Sequence, residues 1–387
     1  MAKSRSIEIG ILALLHGLQH VYLNALPPLY LLLRAEFNIS TLQLGMIGSV
    51  LGIISVLQGP AGYLVEKTSH KRLVVISMLI CSIAVFFYSL SPSFLFLLAF
   101  IAIYALSQVT FHPATYSMVQ RRSPEGHRAK YIAYHQVGGF VGSAIGTVII
   151  AYLASIYGWR TTLQIIPVVG VIVILLFIKI VEEKEPTRNW TAISDDIRSK
   201  QGRDQFRIST PLLVLVLGIS IFSLGNLLRY IPLFLSEAYG ETVVWAGILT
   251  SIMHAVGSAS SLLGGVISDK FDKVSIMFGS HILVGVSTIL LGVGRFSSVI
   301  LLLMLVLYGV ARYLPVPAQH ALSSIVASEH PQGIGFSYTG IALGQIFSDP
   351  LIGYFIDILG VRSAFVVCSI FSFISGSIML VFKKWKL

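Results

Sequence analysis

Charge is what this sequence has least of. Only 11% of its 387 residues are Asp, Glu, Lys or Arg, against roughly 25% in soluble domains. That scarcity excludes an ordinary soluble globular protein. Acids are rarer than bases, 17 against 27, for a net charge of +10. In a chain this apolar the excess reflects basic loops beside a membrane rather than a nucleic-acid surface. Cysteine is nearly absent. Cys81 and Cys368 both lie inside apolar runs, with neither disulfide nor metal-ligand spacing, so redox chemistry and a metal centre are not expected. No Walker motif is present, which argues against ATP hydrolysis. The short alternating segments of an outer-membrane barrel are missing too. Lys3 and Arg5 precede an apolar run from Ile7 to Leu33, too long for a signal-peptide core and without an A-x-A-like cleavage site. It reads as a first membrane span. No cofactor is expected.

What is present is apolar sequence in lengths that match a bilayer core, with 55% hydrophobic residues overall. Spans are predicted over 7–33, 42–65, 73–91, 94–120, 131–155 and 161–181, then over 211–236, 243–268, 274–294, 298–328, 334–358 and 363–382. The one long hydrophilic run, Glu182 to Ser209, separates the two sets. The predicted organisation is an N-terminal half over 1–181, a cytoplasmic linker over 182–210 and a C-terminal half over 211–387.

Basic residues fix the expected orientation. Lys67, Lys71 and Arg72 follow span two, Arg121, Arg122, Arg128 and Lys130 follow span four, and Lys270 and Lys273 follow span eight. The alternate loops hold only Arg34, Arg160, Arg295 and Arg362. Positive-inside places both termini and the linker in the cytoplasm of a multi-pass plasma-membrane protein.

The halves repeat. Gly62, Leu64, Glu66, Lys67, Lys71 and Arg72 close span two; Gly265, Ile267, Asp269, Lys270 and Lys273 close span eight, roughly 203 positions later. Gly158-Trp159-Arg160 and Gly360-Val361-Arg362 open the approaches to spans six and twelve. These loops resemble the signature G-x-L-x-D/E-R/K-x-G-R/K-R/K of the major facilitator superfamily, with Ser69 and His70 departing from it. Phe111-His112-Pro113 and Gln136-Val137-Gly138-Gly139 are similar to stretches of its fosmidomycin-resistance exporters. The resemblance covers the whole chain. It implies an all-α membrane protein of about twelve transmembrane helices in two pseudo-symmetric halves of about six each, the major facilitator fold. It further implies secondary active transport by alternating access, with a small-molecule substrate near the midplane and a proton gradient as the driving force. Export of a drug-like or anionic compound is expected; uptake of an organic anion by symport is the alternative. A monomer is expected. The acid that similar exporters carry in span one is missing here.

Candidate site residues follow. His16, His20 and Asn24 recur every four residues and share one helix face. In this superfamily span one lines the cavity, so the face is expected to contact substrate; helix–helix hydrogen bonding is the alternative. His112 in span four is a candidate for substrate and for proton carriage. His135, beside Gln136, is a weaker one, and His254 and His320 read as packing residues. Arg229 and Arg312 stand inside spans seven and ten, where an arginine needs a partner or an anion. Asp349, the acid well inside the second half, reads as a partner of Arg312 or a proton carrier. Arg229 then has no obvious partner and reads as the first choice for a substrate anion. Gly62, Glu66, Lys67, Lys71 and Arg72, with Gly265, Asp269, Lys270 and Lys273, are expected to latch the halves; flanking charge alone is the plainer explanation. A membrane-embedded enzyme would need a convergent nucleophile, base or metal set, which the histidines do not form. A receptor on a transporter fold would be expected to add a large extra domain, and none is seen.

Overall fold

A computed structural model of the chain describes residues 2–57, 61, 65, 67–124, 127–183, 215–220, 227–327 and 333–384. Most of those residues are helical, and no strand occurs among them. Among them, nine helices are long and apolar enough to cross a membrane: Ser6–Phe37, His70–Tyr88, Phe94–Arg122, Tyr131–Ile180, Val243–Lys270, Lys273–Val293, Ser298–Leu322, Gly340–Leu359 and Val361–Val381. Span two is described as the shorter helix Thr41–Ser55, and span seven as 215–220 and Leu227–Tyr239. Starts are set by short polar caps. The hydroxyls of Ser69 and Ser93 and the carboxylate of Asp272 accept the free N–H three residues on.

Two spans expected to be single helices are interrupted. Span one runs as Ala2–Leu23, then a 3-10 turn Pro27–Leu29, then Tyr30–Phe37. Pro27 and Pro28 supply no N–H to the ladder, so the helix breaks at Asn24. Span ten runs as Ser298–Tyr313 and Val316–Ala327, parted at Pro315. Tyr131–Ile180 contains both predicted spans five and six; the chain turns between them at Gly158, with φ 78° and ψ 156°. Gly360 repeats the positive φ, also 78°, before span twelve. Only glycine adopts this conformation without strain.

The chain forms two compact units. Unit 1 comprises Met1–Asn38, Pro60–Thr187 and Thr242–Ser251; unit 2 comprises Ile39–Gly59, Arg188–Glu241 and Ile252–Leu387. Each carries a short piece from the other part of the sequence, 39–59 in unit 2 and 242–251 in unit 1.

In unit 1, span one packs on span five through glycine: a Cβ on Gly17 would lie 2.9 Å from the Gly138 carbonyl oxygen. In unit 2, Gly218 and Gly340 repeat that approach at 3.3 Å. Small residues allow such backbone proximity. The glycine corners match as well. Arg160 donates to the carbonyls of Ser89 and Ser91 and lies 4.4 Å from the Trp159 ring. Arg362 donates to the carbonyls of Gly294 and Ala238 and lies 4.6 Å from the Tyr239 ring. Each arginine ties loop ends within its own unit.

Candidate functional site

Unit 1 gathers the span-one face. The His16 ring stacks on His135 at 4.3 Å and meets His20 edge-on at 4.7 Å and His112 at 5.5 Å. His16 Nδ1 lies 3.0 Å from the His135 carbonyl oxygen. Ser143 of span five joins His20 Nδ1 at 2.8 Å to the Asn24 amide at 3.2 Å. Asn24 stands at the break in span one, where its amide also donates to the His20 carbonyl. The three residues read as one face, His16, His20 and Asn24, are therefore brought together, with His112 of span four beside them. His135, the weaker candidate, proves central: it is fully buried, stacked on the His16 ring. Its central place depends on how spans one, four and five pack, which no local pattern shows. Beside this cluster Gln19 donates to Gln108 at 2.7 Å. Among the described residues no group of His, Cys, Asp or Glu could hold a metal ion.

Unit 2 overturns the expected charge pairing. Asp349 pairs with Arg229, not with Arg312. The Gln345 amide, turned so that its oxygen faces Arg229, accepts from Nη1 at 2.9 Å and from Nη2 at 2.7 Å. The Tyr230 hydroxyl donates to the Asp349 carbonyl oxygen at 2.7 Å. The reason is helical geometry: Gln345 and Asp349 are four residues apart on one face of span eleven, and Arg229 and Tyr230 reach them from span seven. Arg229 is thus supplied with acceptors.

Arg312 is the arginine left over. It stands in the last turn of the first part of span ten, just before the break. Among the described residues no carboxylate forms an ion pair with it, and its Nε is buried without an acceptor. Its guanidinium carbon lies 5.6 Å from the Tyr313 ring, and the Tyr313 hydroxyl is 2.8 Å from His254 Nδ1. His254, read as a packing residue, is therefore tied to the arginine's neighbourhood.

The signature loops are only partly described. Gly62 and Glu66 lie outside the described residues. Lys67 and Arg72 are exposed. The Lys71 ammonium donates to the Ile178 carbonyl at 2.8 Å, and Glu183 Oε2 accepts from the Lys71 N–H at 2.9 Å and the Ser69 hydroxyl at 2.5 Å. In the second copy Asp269 and Lys270 are exposed, Lys273 is half-buried, and a Cβ on Gly265 would meet nothing within 4 Å. Sequence reading also missed a buried ion pair, Arg122 with Glu8 at 2.6 Å, in which Arg122 also donates to the Glu182 carbonyl. In the sequence Arg122 reads only as a flanking base.

The Major Facilitator Superfamily model matches residues 11–333. The chain belongs to that superfamily. It is 24% identical to the fosmidomycin resistance protein of Escherichia coli K12, over 73% of this chain and 70% of that one. It is 25% identical to the cis,cis-muconate transport protein of Acinetobacter baylyi, over 92% and 88%. In fold it is similar to a bacterial homologue of the human lysosomal transporter Spinster, crystallised inward-facing and occupied, with a TM-score of 0.79, 19% identity and 98% and 97% coverage. This superfamily member is a multi-pass membrane transporter, not an enzyme.

Proposed function

We propose that this transporter moves a small organic anion across the plasma membrane by alternating access, coupled to protons, with both termini in the cytoplasm. The observation that carries the anion is Arg312. A guanidinium at membrane depth is costly unless paired, and such residues mark substrate pathways. Arg229 has Asp349 and Gln345; Arg312 has an aromatic ring and a buried Nε with no acceptor. It also stands at a helix break, where transporters of this general plan place ligand sites. Muconate is a carboxylate anion, and the similarity to a muconate transport protein across 92% of this chain supports the same substrate class. The similarity to a resistance protein supports export. Uptake by symport is the second reading, and the same experiment decides between them.

In proteoliposomes with an imposed pH gradient, labelled carboxylates and phosphonates should be carried, and neutral analogues of the same size should not. Arg312→Gln should lower kcat/KM for the anion by at least about thirtyfold, as expected when one partner of a buried charge pair is removed. Equal transport of neutral analogues, or an Arg312→Gln protein with unchanged kinetics, would overturn the anion reading.

A further inference from the structure

Span two lies along span eleven in unit 2, and the contact ends in a carboxylate. Asp357 Oδ1 accepts from the Thr41 N–H at 2.9 Å, and Oδ2 accepts from the Leu42 N–H at 2.8 Å. These are the first two N–H groups of span two. An α-helix leaves its first N–H groups without partners inside the helix. The third is satisfied locally: the Gln43 N–H donates to the Ser40 hydroxyl at 3.1 Å, and the Gln43 side chain returns the bond to the Ser40 N–H at 2.9 Å. Span two therefore caps one donor itself and leaves two to be filled from span eleven.

The rest of the seam has close backbone approach. A Cβ on Gly45 would strike the backbone of Asp349 and Pro350, and one on Gly353 would strike the Thr41 carbonyl. The Ser49 hydroxyl donates to the Ile346 carbonyl at 2.6 Å. Asp357 and Leu42 are exposed, whereas Thr41 is buried. Water can therefore replace the carboxylate once the helices part. Such a bond is strong enough to bias a two-state element and weak enough to be broken in every cycle.

We propose that Asp357 is the clasp of this seam: its carboxylate holds span two against span eleven, and the transport cycle must release it before the membrane face bearing Thr41 can open. The clasp rests on alternating access. In the proposed orientation that face is the outer one.

A reporter cysteine at Ser49→Cys reads the seam through its reaction with a membrane-impermeant maleimide. It is measured in the full-length protein, in right-side-out and inside-out vesicles. The parent's own Cys81 and Cys368 are buried, and their background is subtracted. Asp357→Ala should raise the labelling rate about three- to tenfold, and Asp357→Asn, which retains an acceptor, by less. Thr41→Pro tests the other partner. Proline is accepted at the first helical position, removes that N–H, and leaves Asp357 in place; labelling should rise as in Asp357→Asn. Melting temperature is recorded alongside, so that a folding defect is recognised. If Asp357→Ala does not fold, the other two variants decide. Unchanged labelling in the folded variants would overturn the clasp. A rise seen only from the inner face would support the clasp and overturn the orientation.

Discussion

Asp349 gives one carboxylate oxygen to Arg229 and its backbone carbonyl to Tyr230, while its side chain lies directly over Gly48 of span two. Its other carboxylate oxygen, Oδ1, is buried and has no hydrogen-bond partner among the described residues. A charge pair that joins spans seven and eleven therefore also forms the floor on which span two rests.

Breaking one side of this pair should be costly. The Asp349 side chain is 1% exposed and that of Arg229 19%, so the pair belongs with buried ones, for which removal of one partner costs about 3–5 kcal/mol. Arg229's partial exposure places it near the lower end, about 3 kcal/mol. Asp349→Asn and Arg229→Gln should each lower the thermal midpoint and all modes of transport, and the double variant should lose less than the sum. Additive losses in that cycle would show that the two side chains do not stabilise each other.

Gly48 should tolerate nothing larger. Its Cβ would occupy the position of Asp349 Oδ2, and overpacking of this kind costs about 1–3 kcal/mol. Gly10 is the control: a Cβ there meets nothing within 4 Å, and Gly→Ala at a compatible helical site stabilises by about 0.4–1 kcal/mol. Unfolding measurements on Gly48→Ala and Gly10→Ala should give opposite signs. The same sign would mean that the seam does not depend on Gly48.

The signature loops carry a kinetic prediction. Asp269 is exposed and, among the described residues, makes no ion pair. If it latches in another state of the cycle, Asp269→Asn should lower turnover several-fold with little change in apparent substrate affinity. Initial rates across a substrate series check this; a weakened affinity at unchanged maximal rate would assign Asp269 to binding instead. Cysteines in the Glu182–Ser209 linker should label from the cytoplasmic face alone.

The fold was legible because its signals are local. Spans follow from apolar length, and the repeat showed in Gly158–Arg160 and Gly360–Arg362, whose corners the structure builds alike. The face of span one was legible because a spacing of four is a helical property. Partnerships across spans were not. Nothing near Arg229 in sequence reveals that Gln345 and Asp349 will meet it. Asp357 looks like a flanking charge until span two is laid beside it. The breaks at Asn24 and Pro315 were more readable than the single-helix reading allowed, since Pro27, Pro28 and Pro315 stood in the sequence.

Coupling is the last prediction. Span one has no acid near its middle, and Glu8 near its start is held by Arg122, so under the proposed coupling the proton rides on another group. Asp349 is engaged by Arg229, and removing its charge strands that arginine; damage to Asp349 should therefore affect every mode of transport. The histidines lie against one another and against aromatic rings: His16 faces His20, His112 and His135, and His112 lies beside Phe111 and Tyr116. Histidine is the side chain whose ordinary pKa, about 6.5, allows exchange near neutral pH. His112→Gln should abolish accumulation driven by a pH gradient while leaving downhill exchange of substrate intact. His135→Gln should do the same only if the proton is shared through His16, since His135 stacks on that ring and not on His112. Both variants are checked in the same vesicles, with accumulation measured against counterflow. Proton-driven accumulation that survives in His112→Gln would remove His112 as the carrier, and survival in both variants would remove the cluster.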